Sequence, residues 1–366
     1  DLPAPAGAYA GLSVQVSGPS KVAGRWNVLP GDNPTARVRI VSDRDWVVTL
    51  DISADEYYGA EQVKRHHMGN LQHNKTIVVD GKKIRAAVCG STNFTWRGQF
   101  VQSNNAVVVR GRNAIRPFID AFENYWAGNS VVSFGPTEST SWQALKLSGI
   151  DARVTFSPHA KAAGVLESIA NDIRAAKSSV FYSLAFLNQT SGAVTDAIME
   201  VTRKPGIFVY GISDKRVGGL DLRLPDGKLA PVNAEYLSGN LPEPFKSEPS
   251  GLSSKGAGTR MHHKFVVLDF DKPSARVYMG SYNFSNPADA QNGENLLLIK
   301  NRRIAVSYMI QALTLFDHYH FRVVQKKAAT SNKPIQLKKA PPPGGKAWWD
   351  EDYADPRKIL DRKLFA

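Results

Sequence analysis

The chain has 366 residues, enough for a large core and two or three domains. Its 42% hydrophobic content excludes a largely disordered chain, no apolar run reaches the roughly 18 residues of a membrane span, and the single cysteine, Cys89, excludes an internal disulfide or a cysteine-based metal cluster. Forty-six Lys and Arg against 33 Asp and Glu leave a net charge of +13, which favours polyanionic partners, either nucleic acid or an anionic membrane surface.

Asp1-Leu2-Pro3-Ala4-Pro5 reads as a processed terminus or as a boundary within a longer protein, and no secretion signal stands there. Three strand-like pieces follow, at residues 12–16, 36–41 and 46–52, with no amphipathic helix among them. His73-Asn74-Lys75 then leads into a strand that the run Ile77-Val78-Val79 is expected to bury in a sheet, and an apolar stretch holding Cys89, read as a buried inert thiol, runs up to Gly90. Ala106-Val107-Val108-Val109 forms another strand, and Ile115, Phe118, Ile119, Phe122 and Trp126 recur at helical spacing. From Arg153 the pattern is strand, amphipathic helix (Val165, Leu166, Ile169, Ile173), strand (Val180 to Leu187) and strand (Ile207 to Tyr210), as in a sheet covered by helices. Residues 214–258, rich in Gly, Pro, Ser and Lys, read as a long irregular insertion. A strand from His262, the apolar run Leu296 to Ile299 and a helix from Ala305 to Tyr319 follow. Residues 326–346 read as a flexible linker, and the tail ends in a short helix capped by Asp355-Pro356, with Trp348-Trp349 expected to dock onto a lobe.

The chain repeats itself. His73-Asn74-Lys75-Thr76-Ile77-Val78-Val79-Asp80 is followed by Gly90-Ser91-Thr92-Asn93-Phe94, and His262-His263-Lys264-Phe265-Val266-Val267-Leu268-Asp269 by Gly280-Ser281-Tyr282-Asn283-Phe284. Each copy is followed by an apolar run and a helix, so the halves are expected to pack as pseudo-symmetric lobes. The first half lacks the opening strand and helix of the second.

Side chains alternate along a strand, so His73 and Lys75 face the same way, as do His262 and Lys264. Asp80 and Asp269 lie an odd seven residues beyond each His and point elsewhere, which makes them structural closures of strand and turn, like Gly90 and Gly280. Two imidazoles, two ammonium groups, the amides of Asn93 and Asn283 and the hydroxyls of Ser91 and Ser281 suit a phosphate. Cations and amides neutralise its non-bridging oxygens, one imidazole attacks phosphorus, and the other protonates the leaving oxygen. No metal or other cofactor is needed for this chemistry. A lone His-x-Lys is usually surface decoration; two full copies are not. His66, His67 and His263 are read as flanking residues or as supports behind the site, not as a metal cluster.

The double pattern resembles the phospholipase D superfamily, whose signature is His-x-Lys-x4-Asp followed by Gly-Ser-x-Asn, over roughly residues 60–130 and 150–325. The resemblance implies an α/β fold of two pseudo-symmetric lobes, each a mixed sheet flanked by helices, with a metal-independent active site at their interface. It divides the chain into a first lobe (1–150), a second (151–325) and a linker with tail (326–366), as a monomer with an internal pseudo-dimer. It also implies a residue past each Asn that orients a histidine, here Asn104 and Glu294, eleven residues beyond Asn93 and Asn283. If that residue works across the interface, Glu294 supports His73 as nucleophile and His262 is the general acid; Asn104, Ser91 and Ser281 would bind substrate phosphate. The substrate reading leans to DNA or RNA on charge, with phospholipid headgroups as the alternative and an inactive polyanion-binding module as the reading of another class. The compartment stays open.

Overall fold

In the computed structural model, residues 67–100, 102–128, 130–187, 192–213, 261–331 and 339–366 are described, together with strand segments at 2–3, 12–17, 22–26, 35–36, 47–51, 221–223 and 229–231. The chain falls into two compact units, Asp1–His66 and His67–Ala366.

In the first unit, β1 (Leu2–Pro3) pairs with β4 (Thr35–Ala36), and β2 (Leu12–Ser17) lies between β3 (Val22–Trp26) and β5 (Val47–Asp51), all antiparallel. The strands expected near 12–16 and 46–52 are therefore present; most of the piece at 36–41 lies outside the described residues.

The second unit holds both motifs. The first motif opens a three-stranded antiparallel sheet of β6 (Thr76–Asp80), β7 (Arg85–Gly90) and β8 (Ala106–Arg110), followed by α1 (Arg112–Ala127). The second motif sits in a seven-stranded mixed sheet. Its strands are β9 (Gln143–Ala144), β10 (Asp151–Ser157), β11 (Ser179–Leu184), β12 (Phe208–Ile212), β15 (Lys264–Leu268), β16 (Arg276–Gly280) and β17 (Glu294–Lys300), in the order β12-β11-β15-β16-β17-β10-β9. Only β11 and β12 run parallel; between them the chain forms a helix, Ala193–Arg203, where the sequence reading has strand following strand. A small hairpin, β13 (Asp221–Arg223) with β14 (Leu229–Pro231), lies within the long insertion, which otherwise falls outside the described residues.

Burial explains the layers. Strands β11 and β15 are buried on both faces, as their near-continuous apolar sequences require. Helices α2 (Val165–Arg174) and α3 (Ala193–Arg203) cover one face, setting Ile169, Ile173, Ala197 and Ile198 against Tyr182, Val266, Tyr278 and Leu296. A second core gathers Ala87, Cys89 and Val109 of the small sheet with Val154, Phe265, Val267 and Leu297 of the large one. Ile115 and Phe118 of α1 close it, as do Met309 and Ala312 of α4 (Arg302–Ser331). Cys89 is fully buried there, and burial pushes its thiol up to about 12, as an inert residue requires.

The mixed α/β architecture with two repeated hairpins is the expected one, but the lobes are unequal. Ile77, Val79 and Val108 are exposed, whereas the matching Val266, Leu268 and Leu298 lie beneath α2 and α3. Two further expectations fail. Helix α4 continues to Ser331, so residues 326–331 are helix rather than linker. Trp348 and Trp349 pack edge-on against each other and stay 46% and 37% exposed. The tail instead docks through α5 (Pro356–Phe365), whose Phe365 ring stacks on Phe270 and meets Phe181 and Phe208 edge-on. A ring fills a curved apolar floor with two torsions, while the indole pair is tethered by Trp348 Nε1 donating to the Lys339 carbonyl.

The two motif aspartates serve unlike surroundings. Asp269 is buried and accepts from the Lys177 and Ser178 backbone N–H groups at 2.8 and 2.9 Å and from the Ser178 hydroxyl at 3.2 Å, tying β15 to the start of β11. Asp80 is half exposed and pairs with Arg85 across its hairpin. Replacing Asp269 by Ala strands two backbone donors and should lower the unfolding free energy by about 2–4 kcal/mol in urea titrations. Asp80→Ala should cost less than about 1 kcal/mol.

Candidate active site

The local geometry that builds the site starts at two glycines. A Cβ on Gly90 would meet the Asn105 carbonyl at 2.3 Å, and one on Gly280 the Asn295 carbonyl at 2.2 Å, so only glycine lets each motif turn lie against the next strand. That approach lets Ser91 N–H donate to the Asn105 carbonyl and Ser281 N–H to the Asn295 carbonyl. The serine hydroxyls, fully buried, in turn accept from the Asn105 and Asn295 N–H groups.

The two lobes then cross over. His73 N–H donates to the Gly293 carbonyl at 2.8 Å, and His262 N–H donates to the Ser103 carbonyl at 2.9 Å. The backbone of each histidine is therefore pinned to the residue just before the other lobe's orienting position. His73 Nδ1 lies 2.6 Å from Glu294 Oε2, and His262 Nδ1 lies 2.8 Å from Asn104 Oδ1 and 3.1 Å from the Ser91 carbonyl. Ser91 donates to Asn104 Oδ1 and Ser281 to Glu294 Oε2, so both hydroxyls hold the orienting groups rather than facing open space. Asn292 Nδ2 donates to the other oxygen of Glu294 at 3.2 Å.

Lys75 and Lys264 lie beside their histidines, 7% and 1% exposed. Lys75 donates to the His73 carbonyl at 2.7 Å; Lys264 lies 3.1 Å from the His262 carbonyl and 3.0 Å from His262 Nε2. Asn283 Oδ1 is buried with no hydrogen-bond partner among the described residues, which leaves an acceptor in the second motif turn. Asn93 is half-buried on the equivalent turn. Neither motif aspartate reaches a histidine or lysine of its motif. His67 is exposed and His66 lies outside the described residues.

A second crossed tier escaped the sequence reading. Asn295 Nδ2 donates to Asn74 Oδ1 at 3.1 Å, and Asn105 Nδ2 lies 2.9 Å from His263 Nδ1. Asn74 and His263 are the residues between His and Lys in each motif, and Asn105 and Asn295 directly follow the orienting residues. That recurrence of Asn at one place in both copies was the available signal. His263 is thus a buried strut between the lobes.

A chain from Thr155 Oγ1 through His159 to Asp289 has the connectivity of a nucleophile, base and acid, with both contacts at 2.8 Å. Thr155 is fully buried and also donates to the Thr140 carbonyl, so this chain fastens β10 rather than meeting substrate.

Electrostatically the site is crowded with cations. Burial, with Lys264, Lys75 and His73 nearby, pushes His262 down to about 2 against the opposing Ser91 carbonyl. Burial likewise lowers Lys75 to about 8 and Lys264 well below the ordinary lysine range, each partly offset by Glu294. His263 falls to about 3, from burial and then Lys264.

Two His-x-Lys pairs thus meet across paired α/β lobes, each histidine oriented from the opposite half. The family described as "Cardiolipin synthase, PLD-like domain" matches residues 35–126 and 169–313, more than half of the chain, and the chain belongs to it. It is 32% identical over 93 residues to the mitochondrial cardiolipin hydrolase of Danio rerio, spanning 24% of this chain and 39% of that protein. It is 42% identical over 48 residues to phospholipase D of Rickettsia prowazekii, spanning 13% and 22%. The matches thus span well under two thirds of these relatives. Among solved structures, Nuc of Salmonella typhimurium, a phospholipase D family member, aligns at 20% identity over 48% of this chain and 95% of its own, with a TM-score of 0.27. Phosphatidylserine synthase of Haemophilus influenzae aligns at 12% identity over 81% and 69%, with a TM-score of 0.42.

The depressed histidines carry a stability signature. Below their ordinary 6.5, the unfolded chain takes up protons that folded His262 and His263 refuse, so the unfolded state binds more protons and stability falls as pH falls. The loss should approach about 1.4 kcal/mol per pH unit for each histidine between about pH 6 and 4, measured from urea midpoints. His263→Gln should flatten that slope relative to the parent protein.

Proposed function

We propose that the chain hydrolyses phosphodiester bonds through a covalent phosphohistidine on His73, with His262 as general acid. One observation supports this division of labour most: the two imidazoles sit in unlike hydrogen bonds. The Glu294 carboxylate at 2.6 Å fixes the hydrogen on His73 Nδ1, aims the Nε2 lone pair outward, and balances the positive charge the ring gains once phosphorylated. His262 faces the neutral Asn104 amide, which orients the ring without stabilising a cation, so a proton placed on its Nε2 is strongly acidic. Lys75, Asn93 and Asn283 hold the non-bridging oxygens, where negative charge grows in the transition state, with Lys264 held against His262. Water then attacks the phosphohistidine, with His262 taking its proton.

For substrate we propose nucleic acid, supported by the +13 charge of the chain. A second reading, phospholipid headgroups, draws on exposed Leu71, Phe94 and Phe100 flanking the first motif and on the names of the curated relatives.

Cleavage of a generic phosphodiester should persist in excess EDTA; complete loss would sink a mechanism that uses side chains alone. His262→Ala should slow an alkyl diester by roughly 100-fold or more while affecting an aryl diester least, since an aryloxide leaves without a proton. Phosphoenzyme that still accumulates in His73→Ala would reverse the two roles. Plasmid DNA and phosphatidylcholine vesicles assayed side by side decide the substrate, and binding of either without turnover would mark an inactive binding module.

A further inference from the structure

We infer that Lys264 is the proton reservoir of this reaction: its ammonium hands a proton to His262 Nε2 for delivery to the leaving oxygen, and recovers one when water enters. The inference rests on the phosphodiesterase reading above and adds to it the source of the proton.

The hydrogen-bond network fixes the proton positions. Asn104 Nδ2 donates to the Gly98 carbonyl at 2.8 Å and Asn104 Oδ1 accepts from Ser91, so this amide has one orientation and presents its oxygen to His262. His262 Nδ1 therefore faces two acceptors, Asn104 Oδ1 and the Ser91 carbonyl, and must carry hydrogen. Its Nε2 holds the lone pair, and Lys264 Nζ at 3.0 Å donates into it. At rest, then, the general acid has no proton on the nitrogen that must give one.

Lys264 is the adjacent donor, and at 1% exposure it does not trade freely with solvent. The first motif differs. Lys75 turns to the His73 carbonyl, and among the described residues nothing hydrogen-bonds His73 Nε2, which stays open for attack. The groups facing Lys264 are Lys75, Glu294, His262, His263 and the Phe186 ring; those facing His262 are Lys264, Lys75 and His73. Burial and these cations weaken proton binding on both nitrogens, making them one proton-sharing pair. A bound anionic phosphate then draws the proton toward Nε2.

The balance closes. As the bond from His73 Nε2 to phosphorus forms and the bond from phosphorus to the leaving oxygen breaks, one proton moves from Nζ to Nε2 to that oxygen, leaving a neutral amine on Lys264. As water's oxygen bonds phosphorus and His73 is released, one water proton passes to His262 Nε2 and on to Nζ. Net consumption is one water, with no co-reactant.

Lys264→Arg tests this, because a guanidinium keeps its charge but does not give up its proton at accessible pH. First-turnover release from an alkyl diester should fall at least about 20-fold further than the 4-nitrophenolate burst from an aryl diester. The basic limb of the alkyl pH profile should vanish with it. Lys75→Arg should slow both substrates alike. Equal losses on both diesters in Lys264→Arg would reduce Lys264 to a fixed charge, and an unchanged alkyl rate would mean that His262 draws on solvent; either overturns the relay. Independently of any variant's folding, 15N NMR of the wild-type protein should place the His262 hydrogen on Nδ1, and a hydrogen resident on Nε2 overturns the proposal. If the wild type cleaves neither diester, the phosphodiesterase reading itself fails and the relay falls with it, whatever the tautomer.

Discussion

The structure depends on a crossed pair of contacts: each catalytic-motif histidine is held by the other half of the repeat. His73 reaches Glu294 and the Gly293 carbonyl; His262 reaches Asn104 and the Ser103 carbonyl. Both Nδ1 contacts are short and largely withdrawn from water, so they orient the rings firmly. The glycines before Ser91 and Ser281, the tier of asparagines beneath and the core shared by both sheets all keep these two crossings in register. A shift of one sheet against the other by an ångström would break four of these contacts together.

Much of this was legible in the sequence because the chain states it twice. Period-two alternation placed each His and Lys on one strand face, and the odd interval to Asp80 and Asp269 placed those acids elsewhere. The position of Glu294 and Asn104 could be counted. What sequence could not supply was the environment: the same aspartate is a buried anchor at 269, where it fastens β11, and a surface pair with Arg85 at 80. The Trp348-Trp349 docking failed for a related reason, since apolar area alone does not say which ring finds the floor made by Phe181, Phe208 and Phe270.

Inequality between the lobes runs through both fold and site. In the second lobe the motif strand is the third of seven, paired on both sides, and is covered by two helices; in the first it is an edge strand of three, with Ile77, Val79 and Val108 exposed. His262 and Lys264 accordingly lie deeper than His73 and Lys75, with His73 about a fifth exposed. Depth weakens the hold of the second pair on its proton, while the shallower first imidazole keeps an open lone pair beside a carboxylate.

The presence of both motifs on one polypeptide has a consequence for how such a site can evolve. Two identical subunits meeting about a symmetry axis would have to place the same residue at both orienting positions, two carboxylates or two amides. A tandem duplication lifts that constraint, and here the copies have parted to glutamate on one side and asparagine on the other. Covalent linkage thus converts a symmetric pocket into a polar one, with a direction built in from one imidazole to the other.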